Sequence, residues 1–142
     1  MAENTIVSID GKIGTENFIT EIHTIDHNIF LDEPTSIGGQ NKGMKPSEAL
    51  AASLAGCTLI TLKMYLNHKG IDLGEMKIHI EMEQIKKGTD LVVEMLRTIF
   101  IHKPIDQELE QKLIYISEVC PISKILKSGN NIIRTEIKLI EA

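Results

Sequence analysis

Two cysteines are the residues of this 142-residue chain best suited to chemistry. Cys57 lies in the middle of a long apolar segment, and Cys120 directly precedes Pro121. A thiolate is a nucleophile that peroxides oxidise stepwise, so a pair of thiols can carry out a redox reaction. Each cysteine also has a simpler interpretation as a small hydrophobic residue of the core. A structural disulfide between them is not expected in a reducing compartment.

The setting of Cys120 favours an activated thiol. Because proline suits the first position of a helix, Pro121 places Cys120 at the N-cap. Free N–H groups and the positive end of the helix dipole lower a thiol pKa there. Cys57 has only burial in a helix, so the residues alone make Cys120 the more reactive thiol.

Glu48 is the third candidate. It falls in the first turn of the helix that holds Cys57, where a carboxylate simply complements the helix dipole. Nine residues separate Glu48 from Cys57, which places the side chains on opposite faces and about 13 Å apart along the axis. If Glu48 acts on a thiol, it must act on that of a second subunit.

No metal, nucleotide or other cofactor is predicted. The five histidines do not show the spacing of zinc ligands, and His79 falls on the polar face of a strand. The loop at Gly38-Gly39 lacks the Lys-Ser/Thr pair of a phosphate-binding loop. The net charge of -5 argues against nucleic acid as a partner.

The composition is that of a soluble globular protein, with 25% charged and 42% hydrophobic residues. The length predicts one domain over residues 1–142. The N-terminus has no basic segment followed by an apolar run, so we expect no secretory signal and a cytoplasmic location.

A long helix over residues 46–70 is predicted to organise the fold, with Pro46 at its start and Gly70 as its C-terminal cap. Small and apolar residues occupy nearly every face between Leu50 and Leu62. Such a helix must be buried on all sides. Interrupting polar residues make it unsuitable as a membrane span.

Shorter elements are predicted on both sides of this helix. Strands are expected at residues 5–9, 17–24, 28–31, 76–83, 91–102 and 132–140, with turns at Asp10-Gly11 and 86–89. Helices are expected at 107–118, capped by Asp106, and at 121–127. Hairpins dominate, so the class is α+β with antiparallel sheets. These elements are too few to cover the long helix, and a partner subunit is expected to complete its burial.

The chain resembles the OsmC/Ohr family from about residue 25 to 137. The resemblance rests on short motifs in their order along the chain: Asp32-Glu33-Pro34, Gly38-Gly39, Gly43, Pro46-Ser47-Glu48-Ala49-Leu50, Ala55-Gly56-Cys57-Thr58, Met64-Tyr65 and Val119-Cys120-Pro121-Ile122. Glu48 stands two places after Pro46. This spacing resembles the broader OsmC-like branch, because the glutamate of the hydroperoxide-resistance enzymes follows the proline directly.

The resemblance implies an OsmC-like fold, in which antiparallel sheets wrap around long buried helices of an intertwined homodimer. It also implies peroxiredoxin-like thiol peroxidase chemistry in defence against oxidative stress. By match of position, Cys57 would be the peroxidatic cysteine and Cys120 the resolving one. Glu48 is the third expected catalytic residue, and helix geometry would direct it to the thiol of the other subunit. An external thiol or dithiol would be the reductant.

One departure concerns the cation that steadies the thiolate. The hydroperoxide-resistance enzymes carry an arginine in the N-terminal sheet, whereas this chain has no arginine before Arg97. Lys12, Lys42 and Lys45 are possible replacements, although lysine offers a point charge rather than a planar fork. Two functions stay open: reduction of organic hydroperoxides, and non-catalytic binding of a small apolar ligand at the dimer interface.

Overall fold

The computed structural model describes residues 5–140 of the chain. Its elements occur in the order β1 (Asp10–Ile13), β2 (Thr20–His23), β3 (Asn28–Leu31), α1 (Pro46–Lys69), β4 (Met76–Lys87), β5 (Asp90–Ile101), α2 (Gln107–Glu118) and α3 (Pro121–Lys127). The α+β class, with antiparallel sheets and a long central helix, is confirmed. The described residues divide into two compact units between Ser53 and Leu54, inside α1. The single domain stays a prediction.

Both predicted ends of α1 are confirmed. At its start, the backbone N–H of Lys45 donates to Glu48 Oε1 at 2.9 Å, which is one half of a capping box. At its end, Gly70 has a φ of 70°, a left-handed value that favours glycine. The N–H of Ile71 then donates to the carbonyl of Leu66 at 2.9 Å, as in a Schellman motif.

The N-terminal unit holds a three-stranded antiparallel sheet in the order β1, β2, β3. The prediction of a strand at residues 5–9 is wrong, because β1 begins at Asp10 and includes Gly11, which was expected in a turn. Gly11 pairs with Ile22 of β2, whose Cδ1 would lie 3.0 Å from a β-carbon added at Gly11. The glycine therefore accommodates a side chain of the neighbouring strand.

The loop after β3 is organised by a buried carboxylate. Asp32 is 2% exposed, and it accepts hydrogen bonds from the backbone N–H groups of Glu33, Gln40 and Lys42 at 2.7, 3.2 and 3.1 Å. Burial raises the pKa of this carboxyl, but the backbone hydrogen bonds outweigh it and hold the pKa below its ordinary value of 3.8. A β-carbon at Gly39 would overlap the carbonyl of Glu33, so the loop requires glycine there.

The C-terminal unit is built on the antiparallel hairpin of β4 and β5, whose register runs from Met76↔Ile101 to Lys87↔Asp90. The connecting turn is shorter than predicted, and Gly88 occupies it with a φ of 65°. Helix α2 begins as predicted, because Asp106 accepts a hydrogen bond from the N–H of Leu109 at 2.8 Å.

The core of this unit is formed by α1, α2 and the inner face of the hairpin. Its buried cluster consists of Leu62, Leu66, Leu73 and Leu113. Met76 of β4 and Ile99 of β5 pack against these leucines. The inner face of β5 is thereby fixed toward α1, which positions every second residue of the strand near that helix.

Helix α1 is buried along a single stripe. The buried residues recur every fourth position, at Leu54, Thr58, Leu62 and Leu66. Ile60 and Met64 on other faces are 57% and 67% exposed. Burial on all sides is therefore not achieved within one chain. In the part of the chain that the structure describes, α1 is the one helix long and apolar enough to cross a membrane, a test that the core helix of a soluble protein also passes.

The prediction of a last strand at residues 132–140 is wrong for the single chain. The segment has no regular secondary structure, and Ile133 and Ile137 are almost fully exposed. Alternation of apolar and polar residues produces a strand only where a sheet edge pairs with it. Within residues 5–140, no strand does so.

Candidate functional site

Both cysteines lie in the C-terminal unit. Cys57 is half-buried in α1, with its Sγ 4.0 Å from Thr61 Oγ1. Cys120 is the N-cap of α3, and it is 0% exposed. Both thiols are free, and Cys120 Sγ lies 4.0 Å from the Oγ1 of Thr58, the residue that follows Cys57 in α1. The fold therefore places Cys120 beside the part of α1 that holds Cys57, although the two cysteines are distant in the sequence.

A guanidinium group lies against the Cys120 thiol. Arg97 projects from β5 with its side chain 13% exposed, and its Nη1 lies 3.9 Å from Cys120 Sγ. The same nitrogen donates hydrogen bonds to Thr58 Oγ1 and Ser123 Oγ, both at 2.9 Å. Nη2 lies 3.7 Å from Glu118 Oε2. Arg97 thus connects β5 to α1, α2 and α3 at the thiol.

The hydroxyl groups of Thr58 and Ser123 are oriented as acceptors for Arg97. Thr58 Oγ1 donates to the carbonyl of Leu54 at 2.7 Å, and Ser123 Oγ donates to the carbonyl of Ser117 at 3.1 Å. Because a hydroxyl has one proton and two lone pairs, each oxygen then presents a lone pair to the guanidinium. No buried side-chain polar atom within residues 5–140 lacks a partner.

This environment favours the thiolate of Cys120. Burial raises the pKa of the thiol, but the polar groups of Ser123, its backbone N–H included, together with Cys57 and Thr58, outweigh it and lower the pKa below its ordinary value of 9.0. The positive charge of Arg97 at 3.9 Å acts in the same direction. The sequence predicts activation by the helix terminus, and the structure adds hydroxyl groups and a cation.

Glu118 sits between two cations. Its Oε2 forms an ion pair with Lys127 Nζ in addition to the contact with Arg97. The hydrogen bond from Lys127 is the main reason that the pKa of Glu118 is lowered, although burial opposes it. The carboxylate therefore stays ionised and helps to hold the guanidinium beside Cys120.

A cavity of about 500 Å³ opens next to this arrangement. Three charged side chains line it, namely Arg97, Glu118 and Lys127. Most of the remaining wall is aliphatic, and it includes Leu54, Val93, Leu96, Ile99, Ile114 and Leu126. The cavity could accept a small molecule that is mostly apolar.

Glu48 is exposed at the start of α1, where its carboxylate caps the helix through the N–H of Lys45. The helix is continuous from Glu48 to Cys57, so the two side chains lie on opposite faces, about 13 Å apart along the axis. The structure of one chain gives Glu48 a capping role. Its action on the thiol of a second subunit stays a prediction.

Arg97 is the functional residue that the sequence interpretation missed. It interrupts an otherwise apolar face of β5, made by Val93, Met95, Ile99 and Ile101. A charged residue on the inner face of a strand indicates a buried polar partner, and this signal could have identified it. Lys12, one of the proposed replacements, pairs with Glu21 at 3.6 Å within the N-terminal sheet.

Two histidines of the C-terminal unit lie beside carboxylates. His102 lies 3.1 Å from Glu75, and His79 lies 3.6 Å from Glu81. In the described part of the chain, no group of three or more His, Cys, Asp and Glu residues could hold a metal ion.

Comparisons with known proteins identify the fold. The family described as OsmC-like protein matches residues 39–134. The structure is similar to an OsmC-like protein from Mycoplasma pneumoniae, with a TM-score of 0.76, 20% identity and coverage of 89% of this chain and 91% of that chain. An organic hydroperoxide resistance protein OsmC from Legionella pneumophila has a TM-score of 0.66 and 21% identity, over 89% and 93% of the two chains.

The organic hydroperoxide resistance protein OhrB of Bacillus subtilis is also similar, with a TM-score of 0.59, 22% identity and coverage of 89% of this chain and 93% of that chain. No curated protein matches the sequence significantly. The identities to these solved structures are low, so they support the fold alone. Because the family match covers most of the chain, the protein belongs to the OsmC-like family.

Proposed function

We propose that this protein reduces organic hydroperoxides with Cys57 and Cys120 as a redox pair. The observation that carries the proposal is the position of Cys120 Sγ, which lies 3.9 Å from Arg97 Nη1 and 4.0 Å from the Oγ1 of Thr58, the residue that follows Cys57 in α1. Membership of the OsmC-like family supports it. Two structural relatives, from Legionella pneumophila and Bacillus subtilis, are described as organic hydroperoxide resistance proteins.

The reaction proceeds in three balanced steps. The Cys57 thiolate attacks the distal peroxide oxygen, the O–O bond breaks, and the alcohol leaves after taking up a proton. Cys120 then attacks the sulfur of the Cys57 sulfenic acid, which forms the disulfide and releases water. An external thiol or dithiol reduces the disulfide and restores both thiols, so no bound cofactor is required.

Exposure supports this division of roles. Cys57 is half-buried, whereas Cys120 is 0% exposed. A peroxide in solution therefore has better access to Cys57. Cys120 is shielded from the oxidant, and its Sγ lies 4.0 Å from the Oγ1 of Thr58, the residue that follows Cys57.

We further propose that the active form is a cytoplasmic homodimer. Ile60 and Met64 on α1 are apolar and largely exposed in the single chain, and a second copy would cover them. Glu48 would then lie near the thiol of the other copy, since helix geometry separates it from its own Cys57. A reducing cytoplasm would keep both cysteines available.

The aliphatic cavity favours a second candidate, binding of a small apolar ligand without catalysis. This candidate needs neither thiol. Native mass spectrometry of the purified protein should then detect a bound small molecule in the wild type and in Cys57→Ser alike.

The test of the peroxidase proposal is consumption of tert-butyl hydroperoxide with dithiothreitol as reductant. Wild type should turn over, and Cys57→Ser should fall to the background rate because the attacking thiol is absent. Cys120→Ser should complete the first oxidation and leave a trappable sulfenic acid on Cys57. Ser128→Ala, a surface change in the same unit, is the matched control.

Two results would contradict the proposal. If wild type consumed no organic hydroperoxide, apolar ligand binding would be the better account. If mass spectrometry found the sulfenic acid on Cys120 in Cys57→Ser, while Cys57 stayed inert in Cys120→Ser, the two roles would be reversed.

A further inference from the structure

Arg97 contacts the thiol that is shielded from solvent. Its Nη1 lies 3.9 Å from the Sγ of Cys120, which is 0% exposed. A resolving cysteine needs no contact with the peroxide, because its reaction partner is the neighbouring oxidised sulfur. The guanidinium is therefore placed to act on the second chemical step.

The backbone N–H of Ser123 lowers the pKa of the Cys120 thiol, but the two hydroxyl groups near the sulfur are engaged elsewhere. The protons of the Thr58 and Ser123 hydroxyls are directed to the backbone carbonyls of Leu54 and Ser117 at 2.7 and 3.1 Å. Each hydroxyl must give up that bond in order to donate to the sulfur. Arg97 has five N–H groups and a permanent charge, so it can compensate a thiolate while it keeps its other bonds.

The position of the guanidinium is fixed on three sides. Thr58 on α1 and Ser123 on α3 each accept a hydrogen bond from Nη1 at 2.9 Å, and Glu118 on α2 lies 3.7 Å from Nη2. Glu118 is also paired with Lys127 and is half-exposed, so it neutralises Arg97 only in part.

We propose that Arg97 is the positioning residue that keeps Cys120 as a buried thiolate, ready to attack the sulfenic acid formed on Cys57. This inference rests on the proposed function. The Cys120 sulfur forms a bond to the Cys57 sulfur, the S–O bond of the sulfenic acid breaks, and the departing hydroxide takes up a proton to become water. This proton uptake balances the proton that Cys120 released to solvent when it became a thiolate.

Arg97 thus acts in the resolving step, through the Cys120 thiolate, and not in the attack of Cys57 on the peroxide. Its removal should therefore lengthen the lifetime of the Cys57 sulfenic acid without slowing the formation of that acid. A longer lifetime exposes Cys57 to further oxidation by excess peroxide. Arg97→Met should therefore accumulate sulfinic acid on Cys57.

The first experiment follows one turnover of the reduced, full-length protein with one equivalent of tert-butyl hydroperoxide. Samples are quenched with dimedone, and mass spectrometry measures the sulfenic acid on Cys57 over time. Arg97→Met should slow its decay about tenfold at neutral pH, because loss of the positive charge raises the pKa of Cys120 and leaves less thiolate to attack. Arg134→Met, which removes the only other arginine of the sequence, should decay like wild type.

The second experiment titrates the Cys120 thiolate directly by its ultraviolet absorbance in the Cys57→Ser background. The charged groups around the thiol are Arg97, Glu118 and Lys127. Adding Arg97→Met should move the titration midpoint to higher pH, and Arg97→Lys should restore part of the shift. If Arg97 had only a structural role, the titration midpoint would not follow the charge at position 97, with arginine lowest, lysine intermediate and methionine highest. Arg97→Gln, which keeps a donor without the charge, should resemble Arg97→Met and serves if that variant does not fold.

The outcomes separate the inference from the proposed function. If Arg97→Met slows the appearance of the Cys57 sulfenic acid and leaves its decay unchanged, the inference is wrong although the peroxidase proposal survives. An unchanged titration midpoint in both neutral variants would also overturn it. If wild type forms no sulfenic acid, the peroxidase proposal fails, while the titration still decides whether Arg97 stabilises the Cys120 thiolate.

Discussion

The Cys120 thiol lies near a hydroxyl group as well as a positive charge. Thr58 is fully buried, and its oxygen accepts from Arg97 Nη1 at 2.9 Å while lying 4.0 Å from Cys120 Sγ. One small side chain therefore contacts both the cation and the thiol. A change at this position tests the arrangement without removing either of them.

Thr58→Val should affect both stability and thiol chemistry. Valine matches the shape of threonine but leaves one acceptor of the Arg97 guanidinium missing. We expect a loss of about 1–3 kcal/mol in the free energy of unfolding, measured by urea denaturation, because a buried donor loses a partner. The pKa of Cys120 should rise. Thr98→Val, a change at an exposed position of β5, is the control, and an equal loss there would contradict the specific role of Thr58.

At the scale of single elements, helices and the long hairpin could be predicted from the sequence because their signals are local. Asp106 and Gly70 mark helix ends, and period-two alternation marks β4. Strand β1 and residues 132–140 could not be assigned correctly, since pairing depends on a distant sheet edge that no local pattern specifies.

The candidate site could likewise be predicted only where its signals are local in the sequence. Cys57 and Cys120 are identified by residue type and setting, and the structure places Cys120 beside Thr58, the residue that follows Cys57. Their roles as a redox pair stay a prediction. The role of Arg97 was missed because its contacts to Thr58 and Ser123 join elements that are far apart in sequence. Only the packing of β5 against α1 and α3 reveals them.

The loop after β3 should contribute a pH-dependent part of the stability. The pKa of Asp32 is held below its ordinary value of 3.8, so its ionised form stabilises the folded state. This contribution is fully present above that value and is lost as pH falls through the lower, folded-state pKa. Asp32→Asn should therefore have a lower Tm than wild type at neutral pH. The difference in Tm between the two proteins should become smaller in strong acid.

Thermal unfolding followed by circular dichroism across the acid range measures this difference. Asp26→Asn changes an exposed carboxylate in the turn before β3 and is the matched control. A constant difference between Asp32→Asn and wild type at all pH values would show that the carboxylate charge does not contribute.

At the scale of the whole molecule, the single chain leaves apolar surface that a soluble protein rarely exposes. Ile60 and Met64 of α1 are 57% and 67% exposed. The outer face of β5 adds Leu96 and Phe100, which are also exposed. A partner that covers α1 would give this helix the burial that its composition predicts.

The proposed homodimer leads to the last prediction. Ile60→Glu places a charge on the exposed apolar face of α1, away from the buried stripe that includes Thr58 and Leu62. If a second copy covers this face, desolvation of the carboxylate should convert the dimer to a monomer or unfold it, because an unpaired buried charge is costly. Sedimentation velocity at micromolar concentration measures the change in mass, with Ile25→Glu in a fully exposed turn as the control. A wild-type protein that sediments as a stable folded monomer would contradict the dimer, and it would leave Glu48 with the helix-capping role alone.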